Sequence, residues 1–129
     1  MPTYVSLIKL SHQGITTIKD GPSRLDSARE VLRSFGAEIK DFYFTMGQYD
    51  IIVVMEAPDD TAIAKGLLAV ASGGTITTQT LRAFREDEYR EIVNAVQPVG
   101  EHPAFAAVEI VRQKLVESLD ELQRALRRD

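Results

Sequence analysis

Cysteine and tryptophan are absent from this chain, and histidine occurs only at His12 and His102. Without thiols there is no disulfide framework, no thiolate zinc site, no iron–sulfur cluster and no cysteine nucleophile, a composition compatible with a reducing compartment. Two histidines 90 positions apart make no paired-His metal motif. The sequence also lacks a phosphate-cradling P-loop, a dinucleotide fingerprint and a nucleophile elbow. No metal and no cofactor is expected. Positive charge is in deficit, with 15 Lys and Arg against 19 Asp and Glu and a net charge of -4, which argues against nucleic acid as a partner. Long hydrophobic runs are missing too. No stretch approaches about 18 apolar residues, and Met1 to Ile8 lacks the basic start and apolar core of a signal peptide. The expectation is a soluble, cytoplasmic chain with no membrane partner.

What is present suits one domain with an extension: 129 residues, 44% apolar and 26% charged. Tyr4 to Leu10 reads as a strand covered on most of both faces, and Ser11 as the cap of a helical turn starting near His12. Asp20-Gly21-Pro22 interrupts. Leu25, Ala28, Leu32 and Phe35 then line one helical face that ends at Gly36. Residues 37–46 alternate as a strand, with Phe42, Phe44 and Met46 on one parity and Ile39 and Tyr43 on the other. Gly47-Gln48 predicts a two-residue hairpin with Gly at the position that needs positive φ, leading into Ile51 to Met55. Those five residues are apolar on both parities, the mark of a central strand with both faces covered. Asp59 or Asp60 caps a second helix that runs to Ser72-Gly73-Gly74, and a Thr-rich edge strand follows from Thr75 to about Phe84.

This order is the split βαβ arrangement, an α+β ferredoxin-like βαββαβ fold with a four-stranded antiparallel sheet. Its two helices cover one face. The other face still carries large apolar groups, so a second copy packed sheet against sheet is the expected partner. The domain is expected over residues 1–96, including a short amphipathic helix from Glu86 to Val96. A linker over residues 97–103 and a C-terminal amphipathic helix over residues 104–129 follow. In that helix Val108, Val111, Leu115, Leu119, Leu122 and Leu126 form a seam. Phe105, Ile110 and Val116 predict wider burial of its early turns. Arg124, Arg127 and Arg128 complement the helix dipole at its end. The helix is expected to dock on the domain, on a neighbouring copy, or on a different protein.

The residues Gly47, Tyr49 and Asp50, with Glu56-Ala57-Pro58-Asp59-Asp60 and Leu81-Arg82-Ala83-Phe84, resemble the signature blocks of the GYD domain family over roughly residues 3 to 90. That family resembles the dimeric α+β barrel proteins, whose relatives include cofactor-free monooxygenases, isomerases, haem-binding enzymes and ligand-sensing domains. The resemblance implies the fold and dimerisation more than any activity, because one fold hosts unrelated chemistries. The helix after Pro103 lies outside it.

Four residues are candidates for chemistry. His12 suits acid–base work or ligation of a metal or haem, and equally a polar place beside a helix start. Tyr49 and Asp50 present a phenol and a carboxylate to a pocket, or else pack beside a turn and tie down its N–H groups. Arg82 suits an anionic substrate, or a solvated edge. Tyr4, Tyr43 and Met46 suit a pocket lining or plain core. His102 reads as a linker residue. The leading expectation is a homo-oligomeric domain that binds a small, partly apolar ligand or serves as an assembly module. The alternative is a cofactor-independent monooxygenase or isomerase working through His12 with Tyr49, Asp50 or Arg82.

Overall fold

Alternation along the central strands sets the layers. The computed structural model describes residues 1–127. It runs β1 (Thr3–Leu10), α1 (His12–Thr16), a 3-10 turn (Ile18–Asp20), α2 (Gly21–Ser34), β2 (Glu38–Phe44), β3 (Ile51–Glu56), α3 (Asp60–Ala71), β4 (Ile76–Ala83), α4 (Glu86–Ala95), a second 3-10 turn (Val99–Glu101) and α5 (Pro103–Arg127). Tyr4, Ser6 and Ile8 of β1 are buried and Lys9 is exposed, while Val53 and Met55 of β3 are buried beside half-buried Ile52 and Val54. Successive side chains of a strand point to opposite faces, so one face of the sheet holds the core and the other does not. The order is β2-β3-β1-β4 with every pairing antiparallel, which makes the fold ferredoxin-like. The two most apolar strands, β1 and β3, are central, as their composition requires.

Local chemistry explains the joints. Ser11 accepts from the Gly14 N–H at 3.1 Å, and its own hydroxyl donates to the Gly74 carbonyl at 2.6 Å, so one side chain caps α1 and ties it to the entrance of β4. Residue 14 must be glycine. A Cβ there would collide with the Thr75 carbonyl oxygen. Asp20-Gly21-Pro22 interrupts as expected and starts α2, with Pro22 among the opening positions where its missing N–H costs nothing. Gly36, at φ 83°, closes α2: its N–H reaches the Arg33 carbonyl and the Ala37 N–H reaches that of Leu32, both bonds of a Schellman cap. Asp59 caps α3 by accepting from the Ala62 N–H at 2.8 Å. Gly66 lets α3 lie close on α2, since a Cβ there would meet Leu32 Cδ2 at 2.8 Å.

Two expectations about the hairpin are corrected. The turn is not a two-residue loop on Gly47-Gln48. The Thr45 N–H donates to the Asp50 carbonyl at 2.8 Å and its hydroxyl to the Tyr49 carbonyl at 2.7 Å, so four residues, 46–49, make the loop. Gly47 does hold a positive φ of 116°. In β2 the pairing shifts between Ile39 and Asp41, an irregularity at Lys40 that puts Ile39 opposite Met55 and Phe42 opposite Val53. Ile39, Phe42 and Phe44 therefore share the helix-facing side, against the simple parity count.

The chain divides into two compact units, Met1–Glu88 and a second from Tyr89, with the division inside α4. The core of the first comprises Tyr4, Ile8, Leu32, Ala37, Ile39, Val53, Met55, Ala57 and Ile63. In the second, His102 is more than a linker residue: its Nδ1 accepts from the Ala104 N–H at 3.1 Å and its ring meets Phe105 edge-on, so it caps α5 ahead of Pro103. The wider burial expected for early α5 is not found, because Phe105, Ile110 and Val116 are exposed. Arg124 and Arg127 lie in the last turn of α5, and Arg128 lies outside the described residues.

Candidate ligand cavity

Between the sheet and its two helices lies an apolar cavity of about 450 Å³. Ile8 and Leu10 of β1, Ile51 and Val53 of β3, and Phe42 and Phe44 of β2 form its floor, roofed by Leu25 and Ala28 of α2 and Leu67 and Val70 of α3. The bulge at Lys40 matters here, because it swings Phe42 and Phe44 into this layer rather than to the far face. Phe44 is 70% exposed, so the floor continues outward to solvent at the hairpin end.

The polar side chains of the lining are those of Ser6, Arg24, Thr75 and Thr78, and the first two are held by other groups. The Ser6 hydroxyl is 2.7 Å from that of Thr80. Arg24 borders the cavity, yet its guanidinium donates to the Thr17 carbonyl and hydroxyl and to the Gly14 carbonyl. No Asp, Glu, His, Lys or Tyr is in the lining. A cavity of this size and composition fits within the range of about 300–1,000 Å³ typical of small-molecule sites, and it can hold an apolar body. It offers no group for proton transfer.

The four candidates lie elsewhere. His12 is exposed at the first position of α1. Asp50 is structural in its contacts: its carboxylate accepts from the Leu10 N–H at 2.8 Å, while its own N–H donates to the Ile8 carbonyl. Tyr49 sits on the helix-free face, where its hydroxyl donates to Gln79 Oε1 at 2.8 Å and Lys9 Nζ stands 5.6 Å from its ring. These groups, with Leu7 and Thr77, surround a shallow depression. Arg82 is paired with Tyr4 at the other end of β1, six residues from Leu10 and so roughly 20 Å away. Its guanidinium covers the Phe84 and Tyr4 rings, donates to the Ala83 and Thr3 carbonyls, and stands 3.9 Å from Glu88. The structure therefore sets Asp50 and Arg82 at opposite ends of one strand and none of the four in the cavity.

Of the aromatic and Met candidates, Tyr4 is core, while Tyr43 and Met46 are exposed. The Tyr4 hydroxyl donates to Asp60 Oδ1, and burial together with that carboxylate pushes its pKa up to about 12. Sequence reasoning missed the cavity itself. Its signal was faint: the floor and roof residues read as ordinary core, and the bulge that gathers them leaves no mark in the hydrophobic pattern. Among the described residues no group of His, Asp and Glu is placed to hold a metal, and no helix is long and apolar enough to cross a membrane.

A four-stranded antiparallel sheet in this order, with two helices on one face and an apolar cavity between the layers, defines a ferredoxin-like α+β domain. The chain belongs to the GYD domain family, whose sequence profile matches residues 4–93. A protein of Thermus thermophilus named glutamine synthetase and cystathionine beta-lyase binding protein is 36% identical over 85 residues, spanning 65% of this chain and 90% of that protein. Among solved structures, a feast or famine regulatory protein from M. tuberculosis complexed with L-methionine aligns with a TM-score of 0.49 at 16% identity, over 67% of this chain and 54% of that one. A solved Thermus thermophilus protein aligns at 0.44 and 21% identity, over 66% of this chain and 95% of its own. A homoserine dehydrogenase from Thiobacillus denitrificans aligns at 0.46 and 13% identity, over 63% of this chain and only 17% of its own.

Proposed function

We propose that this chain is a cytoplasmic, homo-oligomeric binding protein whose β-domain, residues 1–96, holds a small apolar ligand between sheet and helices. The observation that carries this reading is the cavity of about 450 Å³ with a mostly apolar lining and no Asp, Glu, His, Lys or Tyr in it. The name of the Thermus relative supports a binding role and suggests enzymes as further partners. The alternative of a cofactor-independent monooxygenase or isomerase finds no support in the lining, because His12, Tyr49, Asp50 and Arg82 are all outside it.

Self-association follows from the helix-free face. Val5, Leu7, Ile52 and Val54 are half-buried there, and Tyr43 and Leu81 are exposed. Sheets pack about 10 Å apart, and a twofold axis makes such a face complementary to itself.

Binding is tested with a neutral apolar fluorophore, N-phenyl-1-naphthylamine, titrated into the full chain. Enhanced emission is expected, and Ala28→Trp, which fills the cavity from α2, should abolish it while circular dichroism stays unchanged. Equal emission from both proteins overturns the cavity as the site. Light scattering after size exclusion should give a dimer or larger, and a monomer at micromolar concentration removes the oligomeric part of the reading.

A further inference from the structure

The seam of α5 is used by neither the cavity nor the sheet face. Val108, Val111, Leu115, Leu119, Leu122 and Leu126 are each more than half exposed. They recur at an interval of 11 residues: Val108 with Leu119, Val111 with Leu122, Leu115 with Leu126. An 11-residue repeat spans three turns at about 3.67 residues each, so the seam keeps to one face of a nearly straight helix. This helix lies beyond the family match at residues 4–93.

The spacing is almost symmetric about Glu117. A second α5 laid antiparallel across that residue sets Val108 against Leu126, Val111 against Leu122 and Leu115 against Leu119. At roughly 98° per residue, Glu109, Arg112, Asp120 and Arg127 fall on one flank of the seam, and Lys114 and Glu121 on the other. Antiparallel pairing joins like flanks. Arg112 then meets the second copy's Asp120, Arg127 meets its Glu109, and Lys114 meets its Glu121, opposite charges in each case. Parallel, in-register pairing joins unlike flanks and sets Arg112 beside Lys114 and Asp120 beside Glu121. Charge therefore selects direction. We propose that α5 is a self-recognition helix that binds α5 of a second copy antiparallel, centred on Glu117, as a surface independent of the open sheet face.

The absence of cysteine makes the test clean, because any disulfide reports an introduced contact. Ala107 and Ala125 lie on the same flank near opposite ends of the seam, so the full-length Ala107→Cys and Ala125→Cys chains, co-expressed and mildly oxidised, are expected to give a linked 107–125 species. Ala107→Cys alone is expected to stay unlinked. Linkage of Ala107→Cys alone to the same extent shows that the pairing is not antiparallel about Glu117 and overturns the proposal, as does an unlinked mixture. Adding Leu115→Asp and Leu119→Asp should eliminate the linked species without changing the strand signal in circular dichroism, and persistence of the link overturns the seam as its cause. Leu81→Glu on the sheet face should leave the link intact, so failure of sheet pairing and failure of helix pairing are read separately. Loss of the link in Leu81→Glu overturns the independence of the two surfaces.

Discussion

Leu32 of α2 and Leu119 of α5 both stand on the apolar face of an amphipathic helix, yet Leu32 is 3% exposed and Leu119 is 59% exposed. The periodicity of their helices is alike. What differs is the layer beneath: α2 lies over a sheet whose facing residues are apolar, while the seam of α5 is uncovered in a single chain. Amphipathicity thus states that a helix has a face to bury, and the rest of the fold states whether one chain buries it. In the first unit the question is answered internally, except at the cavity and the open face.

Truncations sharpen this contrast most strongly. Met55→Ala, at a residue 1% exposed in the centre of the core, should lower unfolding free energy by about 2–5 kcal/mol in urea denaturation. The matching Leu119→Ala should change the stability of the first unit by less than about 0.5 kcal/mol. A comparable loss from both would mean that the two apolar faces are buried alike.

Glycines give the next largest difference. In an exposed helix Gly→Ala gains about 1 kcal/mol, but Gly14→Ala drives a Cβ into the Thr75 carbonyl and should cost about 1–3 kcal/mol. Gly100→Ala, with nothing within 4 Å, should be close to neutral. Thermal melts of the two variants separate these outcomes.

Asp50→Ala removes the acceptor of the Leu10 N–H and should cost about 1–3 kcal/mol, with ligand binding in the cavity unchanged. A large loss of fluorophore binding without loss of stability would instead give Asp50 a direct part in the site.

The effect of Tyr4 is read at alkaline pH. Its folded pKa of about 12 lies above the ordinary value of 10.0, so the protonated phenol is favoured in the folded state. The stability this contributes is complete below about pH 10 and is lost as pH rises toward 12. Tyr4→Phe should flatten the fall of unfolding free energy across that window, measured by urea denaturation at stepped pH. An unchanged slope would show that another group governs alkaline unfolding.

Several features were readable from residue order because each is a local preference. Ser11 and Asp59 cap helices since short oxygen-bearing side chains reach the free N–H groups of the next turn, and Gly36 closes α2 because it accepts a left-handed backbone. The doubly apolar run Ile51 to Met55 marked a central strand. Parity failed in β2, where one extra residue at Lys40 brings Ile39 onto the same face as Phe42. The hairpin was misjudged for a related reason: Gly47 has the expected positive φ, but Thr45 and Asp50 close the loop earlier than the glycine alone indicated.

The sequence by itself determined the element order, the ferredoxin-like connection and the presence of apolar faces in excess of what two helices cover. Each follows from short-range chemistry and from periodicity, which act along the chain. Only the tertiary structure decided that Asp50 is spent on the Leu10 N–H, that Arg82 stands near the far end of β1 from it, and that sheet and helices leave an apolar cavity between them. Those outcomes depend on register and on the separation of packed layers, where a single bulge or a glycine at a close approach shifts many side chains at once.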